Sequence, residues 1–186
     1  MRFAELTTFR VGGEINRFID GISEELIVKT IQDFPDAQII GGGSNILVGD
    51  SPYQGTVLKI NTGGSELDYD PCSGGMITVS AGVEWDAFVA QTIASGFVGL
   101  ETLSGIPGKV GAAPIQNIGA YGQEFSNVVA RVRTWDRIQK EHRTFTSNQC
   151  GFGYRTSLFK ESENRFVVLD ITVQLKKGRS EEHTSE

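Results

Sequence analysis

Two glycine-rich segments constrain this chain more than anything else in it: Gly41-Gly42-Gly43-Ser44-Asn45, and the longer run SGIPGKVGAAPIQNIGAYG from Ser104 to Gly122. Glycine has no Cβ, so successive glycines let backbone N–H groups turn toward an anion and approach it closely, with hydroxyl and amide side chains completing the contacts. Two such segments, far apart in sequence, could clamp one diphosphate. Taken alone, the first is weak evidence and reads more readily as a plain turn. The second keeps Ile106, Val110, Ile115 and Ile118 interleaved with its glycines, and these apolar anchors imply a folded loop rather than a flexible linker. Neither segment has the GxxxxGK[ST] form. Neither gives a GxGxxG turn opening a helix inside a βαβ unit, so the phosphate-loop and Rossmann readings both fail.

The residues around these segments read as a mixed chain. Ser23-Glu24-Glu25 followed by Leu26, Ile27, Ile31 and Phe34 predicts a capped amphipathic helix ended by Pro35. Gln38-Ile39-Ile40 reads as a buried strand feeding the first glycine segment, and Thr56 to Ile60 as another strand. Asn61 to Ser65 and Asp70 to Gly75 are turn chemistry, the latter leading into the strand Met76 to Ser80. Between Glu84 and Ser95, the residues Trp85, Phe88, Val89 and Ile93 share roughly one helical face, and Gly96 suits the position just past the last turn. Strand patterns return at Val128 to Trp135, at Arg143 to Thr146 and at Phe166 to Lys176. In the last of these, Val167, Leu169, Ile171, Val173 and Leu175 alternate with the opposite face, as a half-buried strand demands. The expected fold class is α+β or mixed α/β, with a small N-terminal unit, a boundary near Ile60 to Gly64, and a larger second unit.

Composition narrows the chemistry. A formal charge of −6 on 186 residues argues against nucleic acid or an anionic membrane as the main partner, since both need clustered Lys and Arg. The two cysteines, Cys72 and Cys150, lack CxxC spacing and read as reduced thiols; His142 and His183 read as isolated, solvent-facing side chains, so no metal site is expected. The N-terminus carries no basic region with an apolar run behind it, and no stretch of about 18 apolar residues occurs, so the expectation is a cytoplasmic protein.

A third constellation is Gly151-Phe152-Gly153-Tyr154-Arg155-Thr156-Ser157-Leu158-Phe159-Lys160. The planar fork of Arg155 can hold a carboxylate by two parallel hydrogen bonds and stabilise charge developing there in a dry site; a structural salt bridge fits the spacing equally.

With LTTFRVGG at Leu6 to Gly13, GGGSN, SGIPGKVGAAPIQNIGAYGQE and GFGYRTSLFK in this order, and the strand at Phe166 to Leu175 behind them, the chain resembles the UDP-N-acetylenolpyruvoylglucosamine reductase family, flavoenzymes of bacterial peptidoglycan synthesis. The resemblance runs over nearly the whole chain. It implies an α+β, p-cresol methylhydroxylase-type FAD-binding fold of two α+β subdomains, here residues 1–62 and 63–177, holding FAD between them. It also implies that NADPH delivers hydride to FAD, which reduces the enolpyruvyl group of the UDP-sugar to the lactyl ether of UDP-N-acetylmuramate, in cell wall biogenesis. By motif, Arg155 would be the catalytic arginine on the substrate carboxylate, and Tyr154 would line the same pocket. Gly42, Gly43, Ser44 and Asn45 would form one FAD loop, and Pro107, Gly108, Gly111, Ala112, Ala113, Gly119 and Gly122 the other.

The family's third, substrate-binding domain, with a serine in a GSFFKNP-like motif and a late glutamate, has no counterpart in this sequence. Residues 178–186 carry no apolar anchor, and RSEEHTSE is what a sequencing-library adapter would encode in frame, so a truncated chain with a disordered, non-native tail is expected. Two other readings stand beside this one. Another FAD-dependent oxidase or dehydrogenase of the same superfamily would often hold its flavin through His or Cys, and neither glycine segment contains either residue. A catalytically inert module would use the glycine segments as plain loops.

Overall fold

The computed structural model of the chain describes residues 1–70 and 74–178. The expectations for Cys72, His183 and the tail from Arg179 onward lie outside the described residues.

The N-terminal part builds a small parallel sheet. Strand β1 (Ile15–Gly21) leads into helix α1 (Glu24–Asp33), then β2 (Gln38–Ile40) and β3 (Tyr53–Ile60), with β3 central in the order β1-β3-β2. Helix α1 begins where the sequence predicts: the Ser23 side chain accepts a hydrogen bond from the Leu26 amide at 3.3 Å, and two acids occupy the first turn. Pro35 disfavours helix at Phe34, which is the C-cap. The helix buries Ile27, Thr30 and Ile31.

The remainder forms an antiparallel sheet. Strands β4 (Ser65–Asp70) and β5 (Gly74–Ser80) precede helix α2 (Trp85–Ala94) and the short β6 (Phe97–Val98). A two-stranded ladder, β7 (Gly119–Ala120) with β8 (Gln123–Glu124), stands apart from it. Strands β9 (Val129–Asp136) and β10 (Glu141–Thr146), the single-turn helix α3 (Leu158–Glu161) and β11 (Phe166–Lys177) complete the chain. The sheet runs β10-β9-β11-β5-β4, with β6 also paired to β11.

Two expectations about the apolar faces of these elements are corrected. Strand β11 is not half-buried: Phe166 to Leu169, Ile171 to Val173 and Leu175 are all buried. It lies between β9 and β5 and packs on the 3₁₀ turn Val110–Ala112, and one apolar cluster contains its side chains together with Ile27, Ile31, Leu58 and Ile60 of the N-terminal part. A strand covered on both faces reads as a continuous apolar run, and the sequence VVLDITV does so apart from Asp170 and Thr172. Ile93 is the other correction, being exposed where Thr92 is buried. Trp85, Phe88, Val89 and Thr92 follow the i, i+3, i+4, i+7 stripe, so position 93 falls at its edge, and the Thr92 hydroxyl is satisfied by the Val89 carbonyl at 2.8 Å.

Ion pairs tie the layers together. Arg133 on β9 donates to both Glu24 oxygens, at 2.9 and 2.5 Å, and to Asp170 at 2.6 Å. His142 is not an isolated solvent-facing ring: its Nε2 lies 2.7 Å from Glu24, and its ring meets Trp135 edge-on, because the β9–β10 register sets the two residues opposite each other. The hydrogen bonds from Arg133 hold the Glu24 carboxyl below its ordinary range.

Asp136 is fully buried and accepts from Arg165 Nη2 at 2.7 Å and Nε at 3.0 Å, and from the amides of Ile138 and Gln139 at 2.9 and 3.2 Å. Those bonds, Arg165 first, hold its carboxyl below the ordinary value. A depressed carboxylate contributes stability that is present above its unfolded value and lost as pH falls through the folded one. Asp136→Asn should therefore cost about 2 kcal/mol at neutral pH, lowering Tm by roughly 4–8 °C. The gap between the variant and the parent should close as melts are taken from about pH 4 downward. A gap independent of pH would show that packing, not charge, sets the loss.

Candidate functional site

The two glycine segments meet. The first follows β2 directly, and the second runs from the end of a 3₁₀ turn at Glu101–Leu103 to β7. Ser44 Oγ donates to the Pro107 carbonyl at 3.3 Å, and Asn45 Nδ2 to Gln116 Oε1 at 3.3 Å. A Cβ at Gly42 would lie 3.0 Å from Gly108 Cα, so the two backbones touch where both residues are glycine.

Between the segments lies a cavity of about 470 Å³, lined by Gly41, Ser44 and Asn45 from one side and by Pro107, Gly111, Ala112 and Ala113 from the other. Its size falls within the range of ligand pockets. Ile39, Ile60, Ile106, Ile115, Ile118 and Val168 supply apolar wall. Among the described residues, no histidine or cysteine contributes to the lining.

Polar groups collect at the junction. Gly43 is buried with φ +66°, and its carbonyl accepts from Thr8 at 3.1 Å. The amides of Gly42, Gly43, Ser44 and Asn45, and those of Gly108 and Lys109, meet no acceptor among the described residues. Of these residues only Gly43 is buried, and a cluster of amides free of protein acceptors is what an anion satisfies. By contrast, the amides of Val110, Gly111, Ala112 and Ala113 are spent inside the protein, on Val83, Ala81, Lys109 and Val110. Gly111 serves close packing: a Cβ there would come within 2.6 Å of the Ala81 Cβ.

The first turn of α2 holds the second segment in place. Trp85 donates its amide to the Gly108 carbonyl at 2.9 Å and its indole N–H to Leu103 at 2.8 Å. Asp86 accepts from the Gly105 amide at 2.7 Å and from Ser104 Oγ at 2.8 Å, and these bonds, the Gly105 amide first, hold its carboxyl below the usual range. Glu84 lies 2.6 Å from Lys109 Nζ.

Tyr154 and Arg155 sit outside the cavity lining. They form the tip of a tight turn closed by mutual backbone hydrogen bonds of Gly153 and Thr156, at 3.1 and 3.3 Å, and both are exposed. Arg155 has φ +54°, an unfavourable backbone for a non-glycine residue. Lys160 supports the turn by donating to the Arg155 carbonyl at 2.9 Å while also lining the cavity. The Arg155 guanidinium donates to the Gly119 carbonyl at 2.7 Å and makes no ion pair among the described residues, which removes the structural salt bridge as its explanation. Gly119 thus belongs to the arginine's surroundings; it, Gly42, Gly43, Gly108 and Gly122 do not line the cavity.

Several residues escaped the sequence reading. Asn117, buried at φ +45°, donates to Glu124 at 2.8 Å and to the Gly153 carbonyl at 3.1 Å, and accepts from the Ser126 amide at 2.9 Å. Ser157 Oγ reaches the Ile115 carbonyl at 2.6 Å. Together they bind the second glycine segment to the arginine turn. Asparagine tolerates a left-handed backbone better than most residues, and this is the one signal that could have marked Asn117. Among the described residues no group of three or more His, Cys, Asp or Glu is placed to hold a metal ion. No helix there is long and apolar enough to cross a membrane.

Comparisons with known proteins bear on this geometry. Residues 24–146 match the family model described as FAD binding domain. The UDP-N-acetylenolpyruvoylglucosamine reductase of Cutibacterium acnes is 46% identical over 179 residues, which is 94% of this chain and 48% of that protein. The chain therefore spans about half the length of the curated relatives it matches. The crystal structure of UDP-N-acetylenolpyruvylglucosamine reductase from Thermus caldophilus superposes with a TM-score of 0.77 at 25% identity, over 96% of this chain and 62% of that one. A solvent-stable cholesterol oxidase superposes with a TM-score of 0.61 at 16% identity, over 89% of this chain and 36% of that one, a likeness of fold alone.

Proposed function

The chain belongs to the FAD binding domain family, and from that premise we propose that it is the flavin-holding part of an NADPH-dependent reductase acting on UDP-N-acetylglucosamine enolpyruvate. Its fold is the p-cresol methylhydroxylase-type FAD-binding fold, of α+β class. One observation carries the proposal: both glycine segments border a single cavity and leave six amides without acceptors where they meet. The residues present fit FAD. Partnerless amides suit its diphosphate, and the aliphatic wall suits a flat, largely apolar ring system. The parallel sheet and the antiparallel sheet would be two subdomains, dividing near residue 62, with the cofactor between them.

Bound FAD supplies a reversible two-electron store, loaded by NADPH and unloaded onto the enolpyruvyl group. The chain's own residues hold and orient. Arg155 would receive the negative charge that builds on the substrate carboxylate, for which a guanidinium with one backbone hydrogen bond and no ion pair among the described residues is suited. Tyr154, its ring 5.8 Å from the guanidinium carbon, would form the outer wall of that subsite. In this role the protein works in the cytoplasm, in the synthesis of peptidoglycan precursors that cell shape and division require.

The purified chain should take up FAD in a one-to-one complex whose flavin is released entirely on acid precipitation, since no His or Cys among the described residues lines the cavity. Anaerobic NADPH should then bleach the flavin slowly; reoxidation by the enolpyruvyl UDP-sugar also needs the proton donor of the substrate-binding portion, and is expected only of the whole reductase. Flavin that stays with the precipitate would instead support a covalent oxidase of the same superfamily. A folded chain that ignores FAD would sink the proposal.

A further inference from the structure

The most unusual side chain at the cavity is Lys109. It lines the cavity, yet its side chain is only 10% exposed, and among the described residues its ammonium has one partner, Glu84 Oε1 at 2.6 Å. Its aliphatic stem lies beside the first glycine segment, with Cβ and Cγ each 3.5 Å from where a Gly41 Cβ would be. Its own amide is one of those without an acceptor, and it is the neighbour of Gly108, which touches Gly42. A buried ammonium is retained only when its charge is met. Here the partner is a glutamate whose side chain is 60% exposed and so loses little by returning to water.

We propose that Lys109 is a cofactor-binding residue that grips the diphosphate of FAD, and that Glu84 holds its charge until the cofactor arrives. The inference rests on the flavin-holding role proposed above. The partnerless amides supply hydrogen bonds but no full charge, whereas a diphosphate brings two negative charges into a partly enclosed space. Among the lysines and arginines of the described residues, only Lys109 and Lys160 line the cavity, and Lys160 is already engaged with the Arg155 carbonyl. Moving the ammonium from Glu84 to a phosphate oxygen keeps it paired throughout, and Glu84, at the N-cap of α2, is left beside the positive end of that helix.

The test compares ligands with and without a diphosphate on the full chain. Lys109→Met keeps most of the stem and removes the charge; it should weaken FAD binding by about 10-fold and flatten its dependence on ionic strength, since one charge–charge contact is lost. Riboflavin, which carries no phosphate, should bind the variant as it binds the parent. Lys109→Arg should recover most of the FAD affinity. Glu84→Gln should tighten FAD binding several-fold while lowering the melting temperature of the cofactor-free chain, because the lysine is then unpaired until FAD binds. Equal losses for FAD and riboflavin in Lys109→Met, or weaker FAD binding in Glu84→Gln, would overturn the inference by making the pair a scaffold only. If the parent chain itself fails to bind FAD, the flavin-holding role falls first, and the two failures stay distinguishable.

Discussion

In the whole reductase of which this chain is proposed to be the flavin-holding part, Arg155→Ala should bind FAD as the parent does, yet lose about 10²–10³-fold in the rate at which the enolpyruvyl UDP-sugar reoxidises the reduced flavin. The reason is positional. Arg155 is outside the cavity lining, on an exposed turn, so removing its side chain takes nothing from the glycine segments beyond one hydrogen bond to the Gly119 carbonyl. The rest of the guanidinium fork has no hydrogen-bond or ion-pair partner among the described residues, and the turn is kept in place by groups that do not depend on it: the Gly153–Thr156 backbone pair and the bond from Lys160 to the Arg155 carbonyl. The strained φ of +54° fits a residue placed for use, since alanine would be no better there and glycine would be easier. Arg155→Lys should fall between parent and alanine, because an ammonium keeps the charge but cannot make two parallel bonds to one carboxylate. The readout is single-turnover recovery of flavin colour, with FAD affinity measured alongside. A substrate-driven rate unchanged in Arg155→Ala would remove the arginine from the chemistry and leave it a surface residue.

Much of the scaffold is legible in the residue order because its signals are local. Ser23 and the acids after it fix the start of α1, Pro35 its end, and Gly96, at φ +74°, the end of α2. The two glycine segments are legible as a pair for the same reason, since a run of glycines has few other uses when apolar residues anchor it. What the sequence could not reveal is long-range. Burial of both faces of β11 depends on α1 and β3 packing onto the same core, and the alternation in VVLDITV is compatible with either outcome. The capture of His142 by Glu24 and Trp135 joins residues from α1, β9 and β10, with no motif to announce it. The grip of Trp85, Asp86 and Glu84 on the second glycine segment likewise pairs a helix that reads as simple core packing with a loop that reads as a ligand site. The segments' glycines also divide in a way that spelling does not show: Gly42 and Gly111 make room for protein, while Gly105 and Gly122, at φ +77° and +81°, would have nothing within 4 Å of an added Cβ and are required for backbone angle alone.

That division gives the second large effect, a graded series along the first segment. Gly43→Ala should weaken FAD binding by about 100-fold or more, since a Cβ there would run into the Leu6 carbonyl and the backbone has φ +66°. The loop cannot yield toward Leu6 and Thr7, so it must shift the other way, carrying with it the amides of Gly42, Gly43, Ser44 and Asn45 on which the diphosphate would rest. Gly42→Ala should cost less, about 10-fold: its Cβ would lie 3.0 Å from Gly108 Cα, tight enough to part the two segments by a few tenths of an ångström without reversing any backbone angle. Gly49→Ala, four residues beyond Asn45, meets nothing within 4 Å at an ordinary φ and should bind FAD like the parent. Fluorescence titration gives the three affinities, and circular dichroism with thermal melts separates a displaced loop from an unfolded chain. The order Gly43, Gly42, Gly49 is set by what each Cβ would strike, so a different order, or equal losses at all three with intact melts, would mean that the amides of this segment are not what holds the cofactor.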